Sequence, residues 1–127
     1  MLLAILSSSA MAEWLLVGVN EATILYCDPT TIRKAGDRVR MLSLFDLKTA
    51  RNLDGKPYMS MQMQKEFDCK ESQSRTLSVK AYSGNMGKGE VVSNKSSPGE
   101  WSPVLPGSAQ ETEWKVACGN PLVEQLI

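Results

Sequence analysis

Met59-Ser60-Met61-Gln62-Met63 sets three thioethers at alternate positions, and thioethers are soft donors suited to Cu(I). The competing reading is a strand face turned into a core, where methionine fills irregular gaps. The chain has no histidine and no second Met-x-Met, so the core reading is preferred and no cofactor is expected. Asp28, Asp46, Glu66 and Asp68 offer carboxylates for acid–base work, although such side chains more often form solvated faces or turns. Serines are plentiful, but no G-x-S-x-G elbow accompanies them. Gly84, Gly87 and Gly89 lack the spacing and the following Lys-Ser/Thr of a phosphate loop. Cys27 has no histidine to activate it and reads as a buried thiol at a strand end. Nothing here amounts to a catalytic set or a metal site, and no enzyme is expected.

Three cysteines allow three single pairings or none. Cys69 and Cys118 each end a segment that reads as ordered, whereas Cys27 stands just before a turn, so the expected bond is Cys69–Cys118 with Cys27 free. On that reading Cys118→Ser is costly and Cys27→Ser close to neutral. A disulfide needs an oxidising compartment, and the N-terminus supplies a reason to expect one. Met1 to Leu6 is apolar, a serine-rich step follows, and Ala10-Met11-Ala12 has the small-x-small form of a signal-peptidase site. Residues 1–12 therefore read as the C-terminal part of a signal peptide, and 13–127 as one exported domain. The apolar run is too short to span a bilayer. Ile24-Leu25-Tyr26 before Cys27 lacks the small residues of a lipoprotein box, so no lipid is expected there. Fourteen basic and fourteen acidic side chains balance, which removes the long-range attraction to nucleic acid or anionic lipid.

The elements that must position these residues are mainly strands. Trp14 to Val19 and Ala22 to Cys27 read as a hairpin about Asn20-Glu21. Asp28-Pro29-Thr30-Thr31 has turn chemistry, and Ala35-Gly36-Asp37 is a second turn. Arg38 to Leu47 alternates, with Val39, Met41 and Phe45 on one face and Leu42 and Leu44 on the other. A strand apolar on both sides is expected to be central, covered by the helix on one side and by loops or another chain on the other. Lys48 to Pro57 reads as a polar loop.

Tyr58 to Asp68 alternates cleanly, Met59, Met61, Met63 and Phe67 sharing a parity that continues to Cys69 and is interrupted by Lys65. After a turn at Lys70 to Gln73, Arg75 to Tyr82 returns with Leu77, Val79 and Ala81 inward, and Arg75 can pair with Asp68 or Glu66. A glycine-punctuated turn at 84–89 leads to a short strand, Glu90 to Ser93. Asn94 to Gly107 holds three prolines and two glycines and is a crossover, not a central strand, with Trp101 plugging the rim of the core. Ser108 to Gly119 is the one well-capped helix: Ser108 and Glu111 form a capping box, Gly119 closes it and Pro121 stops it. Its stripe of Trp114, Ala117 and Cys118 is expected to dock on the sheet, since so short a helix is marginal alone. The fold class is α+β, one antiparallel sheet with a terminal helix across one face.

These segments, in their order, resemble the surface-adhesin protein E family. Trp14, Tyr26-Cys27-Asp28-Pro29 with Ile32 and Gly36, and Arg38 to Asp46 are similar to its first half. Glu66-Phe67-Asp68-Cys69, Trp101-Ser102-Pro103, Pro106-Gly107-Ser108 and Val116-Ala117-Cys118 are similar to its second. The resemblance implies a curved sheet of about six strands with a C-terminal helix held on its concave side by a disulfide, here Cys69–Cys118. It also implies an extracytoplasmic binding protein. Founding members are lipid-anchored on the outer membrane of Gram-negative bacteria, bind vitronectin, laminin and plasminogen, and can dimerise. This chain departs in lacking the lipoprotein box and in carrying Cys27. An exported form, periplasmic, secreted or at the cell surface, is therefore expected, and the leading reading takes a host matrix or serum protein as partner. The other readings are a bacterial envelope partner and copper handling through the methionine row. The resemblance does not say which residues bind.

Overall fold

The computed structural model describes residues 12–119. The expected signal segment and the stop at Pro121 lie outside the described residues. Strands β1 (Leu15–Val19), β2 (Thr23–Ala35), β3 (Arg38–Leu53), β4 (Lys56–Asp68), β5 (Gln73–Tyr82) and β6 (Val91–Lys95) follow one another as an antiparallel meander. The short β7 (Ser102–Pro103) pairs with β5 near Gln73, and α1 (Ala109–Ala117) closes the order. From β1 to β6 sequential strands are thus spatial neighbours, as short turns favour.

Two of the expected loops are strand. The Asp28-Pro29-Thr30-Thr31 segment stays within β2 as a bulge, the register slipping between Asp28 and Arg33. Asp28 holds it: Oδ1 accepts from Thr30 N at 3.0 Å and Thr30 Oγ1 at 2.6 Å, while Thr31 Oγ1 donates to Asp28 O at 2.6 Å. Leu42 N then donates to Thr31 Oγ1 at 2.9 Å, so the neighbouring strand's amide is satisfied by a side chain where the ladder is broken. Cys27 consequently lies within β2, not at a strand end.

Lys48 to Pro57, expected as a loop, is the outer arm of the β3–β4 hairpin. The strands meet at Asp54 (φ 51°) and Gly55 (φ 80°), two successive left-handed residues that match the right-handed twist of a tight hairpin. The remaining strand boundaries shift by a residue or two, β6 running from Val91 to Lys95.

The principal core lies between the sheet and α1. Cys27, Val39, Met41, Phe67, Val116 and Ala117 are its buried members, with Trp114, Cys69 and Cys118 packed at its margin. Ser108 caps the helix by accepting from Glu111 N at 3.1 Å. The reciprocal arm of the expected capping box goes instead to Gly107, whose N donates to Glu111 Oε1 at 3.1 Å. Gly119 takes the expected left-handed conformation at φ 70°. The Cys69–Cys118 disulfide ties the end of α1 to the end of β4, the two Cα atoms 5.7 Å apart. Trp114 Nε1 adds a hydrogen bond to Asp68 O at 3.0 Å on the same corner.

Near its N-terminus the helix meets β1, where Gly18 is required: a Cβ there would lie 2.7 Å from the Cβ of Ala109. The other face of the sheet is covered in part. A 3-10 turn at Asn85–Gly87 folds back towards Leu44, which is fully buried. Asp46 Oδ1 accepts from Asn85 Nδ2 at 3.0 Å and Met86 N at 2.8 Å, and Ser60 Oγ accepts from Gly87 N at 2.9 Å. Loop cover on the second face of β3 is one of the two arrangements its apolar pattern implies.

Candidate binding surface

The helix-free face carries three zones, placed by strand register. Leu16 stands opposite Tyr26, and Tyr26 opposite Leu44. Val19 stands opposite Ile24, so Leu16, Val19, Ile24 and Tyr26 form an apolar zone at the β1 edge. Leu16 is 54% exposed and Val19 60%. Among the described residues β1 pairs with β2 alone, leaving its outer row of backbone donors and acceptors open. Its sequence, LLVGV, has none of the lysines or prolines that usually blunt an edge.

The middle zone is a cleft of about 630 Å³ bordered by Thr31, Arg33, Leu42, Gln62 and Gln64. The far zone is a row of charge, Arg33 opposite Arg40, Arg40 opposite Glu66, and Glu66 opposite Arg75. Arg75 Nη2 lies 2.8 Å from Glu66 Oε1, and Arg40 Nε lies 3.7 Å from Oε2. Of the two partners expected for Arg75, the carboxylate it reaches is Glu66. Two guanidinium groups lie over the Trp101 ring, Arg38 at 5.1 Å and Arg75 at 4.7 Å, ring centroid to carbon. Its role is a cation–π contact that ties the crossover to Arg38 and Arg75, more specific than plugging a rim.

Each candidate carboxylate is occupied in structure. Asp28 holds the β2 bulge, Asp46 the 3-10 turn, and Glu66 bridges two arginines. Asp68 accepts from Lys70 N at 3.0 Å and Glu71 N at 2.9 Å, forming the β4–β5 turn. The methionine row is packing surface in part: Met63 is buried opposite Ser43, and Met61 packs on the cluster of Leu47, Tyr58 and Ala81.

Beneath α1 lies a polar centre that sequence reasoning missed. Lys65 Nζ lies 2.9 Å from Glu113 Oε1, and Ser43 Oγ donates to Glu113 Oε2. Glu113 and Ser43 are fully buried and Lys65 nearly so. Lys65 therefore belongs to the covered face, and does not interrupt it. The available signal was a lysine on a strand's apolar parity together with a glutamate three and four residues before Val116 and Ala117. Cys27 is fully buried nearby, its thiol pushed up to about 12, first by desolvation and then by the charges of Glu113 and Asp28. With Cys69 and Cys118 bonded to each other, Cys27 is the free thiol, and it is buried.

Residues 14–119 match the model of the surface-adhesin protein E family, nearly the whole described chain. The chain belongs to the surface-adhesin protein E family. One crystal form of Haemophilus influenzae protein E superposes with a TM-score of 0.63 at 14% identity, covering 87% of this chain and 97% of that one. Protein E from non-typeable Haemophilus influenzae gives 0.60 at 13% identity, covering 87% and 86%. At such identities the likeness is of fold. Among curated proteins no sequence matches it. Membership makes this an adhesin-like surface protein, and outside the cytoplasm a disulfide such as Cys69–Cys118 persists. No helix among the described residues is long and apolar enough to cross a membrane.

Proposed function

We propose that this adhesin E-like chain is a non-catalytic, extracytoplasmic protein-binding module, secreted or held at the cell surface, whose partner is a host matrix or serum protein. The observation that carries the choice of surface is the open β1 edge with Leu16 and Val19 exposed beside Ile24 and Tyr26. An extended partner segment adds to such an edge through main-chain hydrogen bonds, and alternate side chains supply selectivity. The arginine row beyond the cleft favours a partner with acidic side chains at the far end of the contact.

The test is binding of the oxidised protein to immobilised vitronectin and laminin, compared with Leu16→Asp and Val19→Lys variants. Saturable binding that both variants weaken at least tenfold supports the reading. Failure on both ligands, with a bacterial envelope protein recovered by pull-down, replaces the host partner with an envelope one. A second copy on the same edge is distinguished by light scattering, because the two variants would then lower the mass in solution without any ligand.

A further inference from the structure

Glu13 N donates to Asp28 Oδ2 at 3.1 Å. Asp28 is 2% exposed, and its other oxygen is taken by Thr30 N and Thr30 Oγ1. Among the described residues no lysine or arginine pairs with this carboxylate. The carboxylate thus takes three neutral donors and no cation, and buried charges are characteristically paired. The residue whose nitrogen it faces is the one that follows Ala10-Met11-Ala12, the small-x-small triplet.

We propose that export processing cuts the chain between Ala12 and Glu13, and that the ammonium so created docks on Asp28. Water adds across the bond from the Ala12 carbonyl carbon to the Glu13 nitrogen, in the active site of a signal peptidase of the exporting membrane. Ala12 leaves with a carboxylate, and the Glu13 nitrogen carries away the protons as an ammonium. A one-donor neutral amide thereby becomes a three-donor cation at the same atom, within hydrogen-bonding distance of the carboxylate. The ion pair pins the start of β1 to the β2 bulge, so the fold gains its counter-ion only once the leader is gone. Cations docked on buried carboxylates are worth more than exposed pairs when the hydrogen bonding is complete.

The full chain is expressed in a Gram-negative cell, and the intact mass of the envelope form is read. A chain beginning at Glu13 is expected; a different start, or retention of residues 1–12, overturns the proposal. Asp28→Asn is then compared with the parent in two oxidised forms, the processed chain and the chain made in the cytosol with residues 1–12 retained. The substitution should lower the midpoint of the processed form by about 5 °C more than that of the retained form. Equal losses overturn the ion pair. Should the variant not fold, the rate of acetylation of the Glu13 α-amine in the processed parent decides. It should be at least tenfold slower in the folded protein than in urea, and equal rates overturn the proposal.

Discussion

Lys65 Nζ and Glu113 Oε1 meet at 2.9 Å beneath the helix, one from the central strand β4 and one from the buried stripe of α1. The pair is 48 residues apart in sequence and buried. Ser43 donates to the second glutamate oxygen, and Lys65 also lies 5.6 Å from the Phe45 ring. Removing both charges together is a different perturbation from removing one, because desolvation has already been incurred for each.

Glu113→Leu, which leaves Lys65 buried without its carboxylate, is expected to destabilise by about 3–5 kcal/mol. Lys65→Met alone should cost a similar amount. The double variant should recover most of the loss, since two apolar side chains of similar volume replace a desolvated pair. Urea denaturation of the four proteins measures the coupling. A double variant as unstable as the sum of the singles would mean that the two side chains do not act as a pair.

The disulfide acts on the same helix from its other end. Joining residues 49 positions apart should stabilise by about 4 kcal/mol in the chain-entropy model. Cys118→Ser should lower stability by about that amount and release the last turn of α1. Helical circular dichroism and amide exchange at Val116 and Ala117 report the release. An unchanged melting curve would show the bond to be dispensable.

Cys27 changes the expectation that its serine variant is neutral. The thiol is fully buried against Val39, Met41 and Phe67, so a hydroxyl in its place is desolvated. Cys27→Ser should cost about 1–3 kcal/mol, and Cys27→Ala a similar amount through lost packing. The parent differs from both variants in its response to pH. In the fold the thiol is held protonated to about 12, against an ordinary value of 9.0. The unfolded chain then binds fewer protons above pH 9, so this residue lowers stability as pH rises, by about 1.4 kcal/mol per pH unit until its folded value is reached. Below pH 9 the contribution is flat. Stability curves of the parent and Cys27→Ala from pH 8 to 10.5 should therefore converge, and parallel curves would refute the assignment.

How far the fold could be read from the sequence depended on whether packing left a periodic mark. Phe67, Met63 and Met61 alternate with polar residues because one face of β4 meets the core, and the strand was legible for that reason. Ser108, Glu111 and Gly119 carry cap chemistry that is local, so the helix and its ends were legible too. Lys48 to Arg51 are exposed, leaving the end of β3 with no apolar period. Only Asp54-Gly55 marked the hairpin there, and it was submerged in a polar stretch. Asp28-Pro29 has the composition of a turn, yet the same side-chain acceptor that closes a turn serves a bulge. The choice is made by β3, which supplies Leu42 N to Thr31. Lys65 and Glu113 were unreadable singly, since each looks like a surface residue until the other is placed across from it.

Gly18 and Ala109 limit how closely α1 can lie on β1. A Cβ at residue 18 would stand 2.7 Å from the Ala109 Cβ, closer than two carbons can pack, and both belong to ordered elements that cannot yield independently. Gly18→Ala is therefore expected to push the N-terminal turn of α1 off the sheet and to destabilise by about 1–3 kcal/mol. Gly18 is not at positive φ, so the cost is steric and not conformational. Removing the opposing methyl should then restore the fit: Gly18→Ala with Ala109→Gly should be more stable than Gly18→Ala alone. The gain is offset by the roughly 1 kcal/mol that glycine costs in a helix. Thermal denaturation of the three variants checks this, and a double variant below the single one would show that the contact does not set the helix position.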